Sequence, residues 1–284
     1  MASRVIGVIG AGTMGTGIAQ LAAQQGFDAI VRDVDEELVS DGLDRLRNDL
    51  AEAEERDIVD DADTVFDRVT GTTDLDDVVE RATFVVEAVP EDTDLKRTIF
   101  EELDAKTDPD VVLGSNTSSL SITEIASATE HPERVIGTHF FNPPVKMKLL
   151  ELVTGHHTSD ETLARAEELA EALGREHIVV DDFPGFATSR LGLVLGMEAA
   201  RMVQEGVASA EDIDTAMELG YNHPMGPLKL GDHNGWDTRV KVGEYMAEEL
   251  GSDAYRPPQL VKQMVRAGDY GVKSGRGFYD WDED

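Results

Sequence analysis

The sequence predicts an α/β domain with a doubly wound, mainly parallel sheet, followed by a smaller domain made of helices. Three observations carry this. From the first residue to about Asp182, short apolar runs alternate with amphipathic stretches of helical period, the pattern of parallel strands with helices on both faces. A glycine-rich turn, Gly10-Ala11-Gly12-Thr13-Met14-Gly15, joins the first apolar run to the first helical stretch. After Asp182 the triplet Phe183-Pro184-Gly185 interrupts the alternation, and the rest of the chain reads as helix with no convincing strand. A chain of 284 residues is long enough for two domains, and the break divides it into 1–183 and 184–284.

The first strand, Val5 to Ile9, is apolar and rich in β-branched residues, and a helix opens near Thr13 directly after the glycine turn. A second strand, Asp28 to Arg32, precedes a long charged helix, Glu36 to Arg56, in which Leu38, Leu43, Leu46 and Leu50 form an apolar stripe beneath a solvated face. Further strands are expected at Phe84 to Val89, Val111 to Ser115, Val135 to Phe140, Leu149 to Val153 and Ile178 to Val180, with helices opening near Thr93, Ser121 and Asp160. In the second domain a helix from about Phe186 to Glu205 carries Gly192 and Gly196 four apart. Each costs about 1 kcal/mol in a helix interior, so close packing of a neighbour, within the chain or from a second subunit, is the expected compensation. Ser209 before Asp212 has the form of a capping box, Gly220 is expected to end that helix, and two more helices are expected at Asp237 to Glu249 and Pro258 to Ala267.

Charge narrows the function. There are 58 acidic residues against 25 basic ones, a net charge of −33. Such a surface repels a phosphate backbone and argues against nucleic-acid binding. Spread through the helices instead of gathered in a tail, the excess fits a protein that works in concentrated salt, where screening within a few ångströms removes the self-repulsion. Without cysteine there is no disulfide, thiolate metal site or cysteine nucleophile. The amino terminus runs from Met1 through Arg4 straight into the first strand, and no window approaches the roughly 20 apolar residues of a membrane span. A soluble, cytoplasmic protein with no membrane partner is the expectation.

The glycine turn has the context that a dinucleotide site requires: strand, turn, helix, second strand, and an acid, Asp33, 18 positions beyond Gly15. Gly10 permits the tight turn, Gly12 lets the backbone approach a pyrophosphate, and Gly15 lets the helix lie close to the strand. The helix N-terminus supplies N–H groups and partial positive charge to the phosphates. Asp33 can accept hydrogen bonds from both ribose hydroxyls and repels a 2′-phosphate, which favours NAD over NADP. Arg32 is the one neighbour that could reach such a phosphate if it turned inward.

The chemistry is written around Gly137-Thr138-His139-Phe140-Phe141-Asn142-Pro143-Pro144 and the subsequent Leu149-Leu150-Glu151. A histidine at a strand's end, an asparagine beside it and a carboxylate on the next strand are the parts of a general base. His139 would take the proton of a substrate hydroxyl, and Glu151 would fix the imidazole tautomer and stabilise the imidazolium. Spacing alone leaves open a satisfied core histidine with an unrelated acid. His156 and His157 are adjacent and cannot face one metal as an i,i+4 pair would, and no metal site is expected.

Along essentially its whole length the chain resembles the short L-3-hydroxyacyl-CoA dehydrogenases, among them the 3-hydroxybutyryl-CoA dehydrogenases. The resemblance rests on GTHFFNPP followed by MKLLELV, on GAGTMG, VVEAVPEDTDLK (Val85 to Lys96), SNTSSLSIT (Ser115 to Thr123), DFPGFATSRL (Asp182 to Leu191), GPLKLGDHNGWD (Gly226 to Asp237) and KSGRGFYDW (Lys273 to Trp281). It implies a Rossmann domain, a helical domain of the 6-phosphogluconate dehydrogenase C-terminal type, and a substrate cleft between them. It implies reversible NAD-dependent oxidation of an L-3-hydroxyacyl-CoA, with His139 as base and Glu151 as its partner. Ser118 would lie near the nicotinamide and the substrate hydroxyl, Asn142 would hydrogen-bond in the site, and Glu91, Lys96 and Lys273 fall at cofactor-contacting positions. A homodimer through the helical domain is also implied.

Two positions depart from the family pattern. Ser189 stands where many members have asparagine before the arginine, so a hydroxyl replaces a longer amide toward the thioester carbonyl. Where some relatives meet the CoA phosphates with a serine and a lysine, this chain has Asp49 and Arg56 in an acidic run, which leaves Arg56 as the candidate phosphate contact. The weak anchor keeps two other readings open: a homologous dehydrogenase of a free 3-hydroxy acid, of the gulonate type, and a non-catalytic NAD-binding relative.

Overall fold

The structure is a computed structural model and describes residues 5–281. The chain forms two compact units, one ending at Phe183 and the other beginning at Pro184.

Among the described residues of the first unit eight strands lie in one sheet: β1 (Val5–Ile9), β2 (Asp28–Arg32), β3 (Val69–Thr72), β4 (Phe84–Glu87), β5 (Val112–Ser115), β6 (Val135–Phe140), β7 (Leu149–Thr154) and β8 (Glu176–Asp181). Their order is β3-β2-β1-β4-β5-β6-β7-β8. Every neighbouring pair is parallel except β6 and β7. The first six strands thus adopt the doubly wound order in which the chain reverses direction between β1 and β4, and ligands bind such sheets beyond the carboxyl ends of the strands at that reversal.

Among the described residues seven α-helices belong to this unit: α1 (Thr13–Gln24), α2 (Glu36–Glu55), α3 (Ala62–Phe66), α4 (Asp76–Val79), α5 (Thr93–Lys106), α6 (Ile122–Ala126) and α7 (Asp160–Ala172). Side-chain caps start most of them. Asp35, Asp61, Asp92, Ser121 and Ser159 each accept a backbone N–H two or three residues on. Ile18, Leu21, Leu46, Leu50, Val8, Val31 and Val86 form part of one core cluster, and the two leucines of α2 are wholly buried in it. Truncating either to alanine would cost about 2–5 kcal/mol.

The differences from the sequence reading have local causes. Leu38 is exposed and the α2 stripe uses Val39 instead, one position round the helix. Strand β4 stops at Glu87, because the Glu87 side chain accepts the Val89 N–H at 2.7 Å and turns the chain toward Pro90. Strand β3 is an addition to the expected set; it is a four-residue edge with only Val69 buried.

The second unit holds α8 (Thr188–Gln204), α9 (Ala210–Tyr221), α10 (Pro227–Asn234), α11 (Trp236–Glu249) and α12 (Gln259–Ala267). Trp236, Leu228 and Val261 are fully buried at its centre. Two buried acids tie it together: Asp214 accepts the Leu228 and Lys229 N–H groups at the start of α10 and the Tyr279 hydroxyl, and Asp232 accepts from both indoles, Trp236 and Trp281. Helix α9 ends at Tyr221, one residue beyond Gly220, and is capped by Asn222 in the left-handed conformation (φ 63°). At Gly196 the space of a side chain is filled by Arg239 of α11, whose Nη2 donates to Gly192 O at 2.6 Å and whose burial pushes its guanidinium down to about 10. At Gly192 the side-chain position is open, with nothing within 4 Å of where a Cβ would sit. Among the described residues no helix is long and apolar enough to cross a membrane.

Candidate active site

The carboxyl ends of β1, β2, β4, β5 and β6 bring the candidate residues to one edge of the sheet. At the end of β1, Gly10 has φ +109° and a side chain there would run into the Ala88 carbonyl at 2.7 Å. Gly15 sits against the Gly10 carbonyl, so α1 can start close to the strand. A side chain at Gly12 would meet nothing within 4 Å, which leaves open space in front of the turn and the α1 N-terminus. At the end of β2, Asp33 Oδ2 accepts the Ala11 N–H and Oδ1 the Val34 N–H, both at 2.7 Å. The carboxylate is thus fixed beside the glycine turn with lone pairs remaining on both oxygens. An open cradle at Gly12, a helix N-terminus and an anchored acid fit a dinucleotide with free ribose hydroxyls. Arg32 donates through Nε to the Thr73 carbonyl at 3.2 Å, which directs its guanidinium toward the end of β3.

His139 and Glu151 are register partners on the antiparallel pair β6 and β7. His139 Nδ1 lies 2.6 Å from Glu151 Oε2, and Glu151 is completely buried. A carboxylate on Nδ1 makes Nε2 the nitrogen that would exchange a proton with a ligand. The Phe141 ring packs 4.5 Å from the imidazole. Asn142 comes next, exposed, at the start of the β6–β7 connection.

A second polar group lies at the ends of β4 and β5. Glu91 Oε1 accepts from the Thr117 hydroxyl at 2.6 Å and from the Ser118 N–H at 3.0 Å, and its Oε2 is 3.5 Å from Lys96 Nζ. Lys96 is wholly buried and pairs at 2.6 Å with Glu87, also wholly buried. Sequence reasoning missed Glu87 and Asn116. Asn116 Oδ1 accepts the Phe140 N–H at 2.9 Å and so clamps the end of β5 to the residue after His139. The available signals were a charged residue closing the apolar run Phe84-Val85-Val86 and an amide between a strand serine and the Thr117-Ser118-Ser119 triplet.

Residues 5–183 match the model of the 3-hydroxyacyl-CoA dehydrogenase NAD-binding domain, and residues 185–281 that of the 3-hydroxyacyl-CoA dehydrogenase C-terminal domain. The chain belongs to the 3-hydroxyacyl-CoA dehydrogenase family. A Deinococcus radiodurans protein named "Probable 3-hydroxybutyryl-CoA dehydrogenase" is 45% identical over 276 residues, covering 97% of this chain and 99% of its own. A 3-hydroxybutyryl-CoA dehydrogenase of Mycobacterium tuberculosis is 43% identical over 280 residues, covering 97% and 98%. The crystal structure of (S)-3-hydroxybutyryl-CoA dehydrogenase from Ralstonia eutropha superposes with a TM-score of 0.94 at 40% identity, covering 99% of each chain. The protein is accordingly an NAD-dependent 3-hydroxyacyl-CoA dehydrogenase with a Rossmann-like domain and a helical C-terminal domain.

The remaining residues singled out by the 3-hydroxyacyl-CoA dehydrogenase pattern make contacts within their own units. Arg56 caps the C-terminus of α2, exposed, 3.4 Å from Glu52. In the helical unit, Ser189 is half-buried in the first turn of α8. Lys273 there pairs with Asp237 at 2.6 Å; burial raises that carboxyl, and hydrogen bonds from Lys273 and the Thr238 N–H more than offset it, holding it below the usual carboxylate range. Among the described residues no group of three or more His, Asp or Glu could hold a metal ion.

Proposed function

We propose that the protein reversibly oxidises short L-3-hydroxyacyl-CoA thioesters, 3-hydroxybutyryl-CoA among them, to the 3-ketoacyl-CoA, with His139 as the proton acceptor. The observation that carries this reading is the 2.6 Å contact of His139 Nδ1 with the buried Glu151. A carboxylate sealed from water holds the ring in one tautomer and favours the imidazolium once a proton arrives at Nε2. His139 takes the hydroxyl proton as the C3–O bond becomes a carbonyl, and returns it in the reverse direction. Bound NAD supplies the acceptor for the hydride leaving C3. Ser118 and Asn142 orient the alcohol and the thioester. Ser189 donates one hydrogen bond to the thioester carbonyl, and Arg56 meets a CoA phosphate. Gly10, Gly12, Gly15 and Asp33 hold the dinucleotide, with Glu91, Ser118 and Lys273 as further contacts; Lys96, wholly buried with its three donors on Glu87, the Val89 carbonyl and Glu91, acts through Glu91 and not by touching the cofactor.

The same reading includes a homodimer through the helical unit, supported by the open face at Gly192, with the exposed Leu191 and Leu195 on the same helix. It places the protein in the cytoplasm, in fatty-acid metabolism, and in a salty interior matched to a net charge of −33. The pairing of Arg56 with Glu52 favours one second reading, a dehydrogenase of a free 3-hydroxy acid. NADH oxidation in molar KCl, with acetoacetyl-CoA compared against free acetoacetate, separates the two. Turnover of the thioester alone supports the CoA reading, and turnover of the free acid alone overturns it.

A further inference from the structure

We propose that Glu87 is a positioning residue for this reaction, setting the Ser118 loop through Lys96 and Glu91. The proposal rests on the reading that Ser118 acts beside the nicotinamide. Glu87 ends β4 at the centre of the sheet, in register with Ser115 of β5, and is completely buried. Its oxygens accept three hydrogen bonds: Lys96 Nζ at 2.6 Å and Val89 N–H at 2.7 Å on Oε1, and the Ser115 hydroxyl at 2.7 Å on Oε2. The ammonium it holds is also fully buried and has two further, longer contacts, 3.4 Å to the Val89 carbonyl and 3.5 Å to Glu91 Oε2. Those three directions use the donors of an ammonium.

Neutralising a buried lysine needs only one carboxylate. The second, Glu91, is turned the other way. Its Oε1 takes the Thr117 hydroxyl at 2.6 Å, the Ser118 N–H at 3.0 Å and, at longer range, the hydroxyls of Ser118 and Ser119. A continuous polar chain therefore runs from the sheet interior to Ser118. The short contact to Glu87 and the long one to Glu91 divide the work. Glu87 carries the lysine's charge, and Glu91 is left to hold the hydroxyl loop. Without the charge on Glu87 the ammonium would close on Glu91 and draw that carboxylate off Ser118.

The test is a double-mutant cycle in the full-length protein with Glu87→Gln and Thr117→Val. Thr117 donates to Glu91 and not to Glu87, so the two side chains communicate through Lys96 and Glu91. We expect each substitution to lower kcat for acetoacetyl-CoA about tenfold with KM for the thioester changed less than about twofold, and the pair to be no worse than the poorer single. Glu87→Asp should recover part of the loss. Multiplying effects in the double variant, or wild-type kcat in folded Glu87→Gln, would overturn the proposal. If Glu87→Gln does not fold, Ser115→Ala takes its place, removing one hydrogen bond from Glu87 and leaving the ion pair; a smaller, again non-multiplying loss supports the proposal and an unchanged kcat overturns it. NADH affinity, read by fluorescence in the same proteins, keeps the proposal separate from the substrate assignment. A wild type inactive on acetoacetyl-CoA sinks that assignment, whereas independent effects of the two substitutions on NADH binding sink the role of Glu87.

Discussion

His139 and Glu151 sit directly opposite one another on β6 and β7, with Nδ1 and Oε2 2.6 Å apart. The antiparallel turn of the sheet makes this contact. Residues directly opposite on antiparallel strands have side chains on one face within about 5.5 Å, so an imidazole and a carboxylate can meet with no loop to hold them. The site is anchored in strand backbone on both sides, and Asn116 fixes the residue after the histidine.

The acid should matter to rate far more than to binding. Glu151→Gln keeps the shape and one acceptor but removes the charge that stabilises the imidazolium, so kcat should fall by about 10²-fold or more while NADH affinity stays within about twofold. Steady-state kinetics with an NADH titration check this, and a variant within about threefold of wild-type kcat would contradict it.

Cofactor choice should rest on Asp33. Its carboxylate is fixed by the Ala11 and Val34 N–H groups, and the Arg32 guanidinium is drawn to Thr73. Asp33→Ser removes the charge that would repel a 2′-phosphate, so the kcat/KM ratio for NADH over NADPH should drop by at least about tenfold. An unchanged ratio would place the discrimination elsewhere.

Much of this was legible in the chain because it depends on local pattern. Strand runs such as Val5 to Ile9 are buried on both faces and read as continuous apolar segments, and the glycine turn has a fixed spacing. The pairing of His139 with Glu151 was open to spacing alone, since antiparallel register is a long-range fact. Helix α10 was missed because Gly231 and Asp232 spoil its periodicity, and its start is held by Asp214, 14 residues before Leu228. Glu87 escaped notice for the same reason: its partners Lys96 and Ser115 come from different elements.

Acid should unfold the first unit partly through Asp104. Burial raises that carboxyl, yet hydrogen bonds from Arg134 and the Glu130 N–H, with the charges of Arg134 and His131, hold it below its ordinary 3.8. A depressed folded value means that the stabilisation is fully present above about pH 3.8 and is lost as pH falls through the folded value. Asp104→Asn leaves Arg134 buried without its counter-charge and should cost about 3 kcal/mol near neutrality, with the gap to wild type narrowing below about pH 4. Urea unfolding at about pH 7 and about pH 3 checks both statements; a constant gap would contradict the assignment.

Salt should stabilise the fold. With a net charge of −33, self-repulsion is strong in dilute buffer and is screened over about 3 Å in molar salt. Thermal unfolding in about 0.05 M and about 2 M KCl should show Tm rising by on the order of 10 °C. Equal values would remove the case for a saline setting.

The most direct measurement is turnover of acetoacetyl-CoA by His139→Gln beside an NADH titration of the same protein. The account predicts that kcat drops by about 10³-fold or more, to near background, while the dissociation constant for NADH stays within about twofold of wild type. A variant that reduces the thioester at the wild-type rate would show that the proton does not pass through this imidazole.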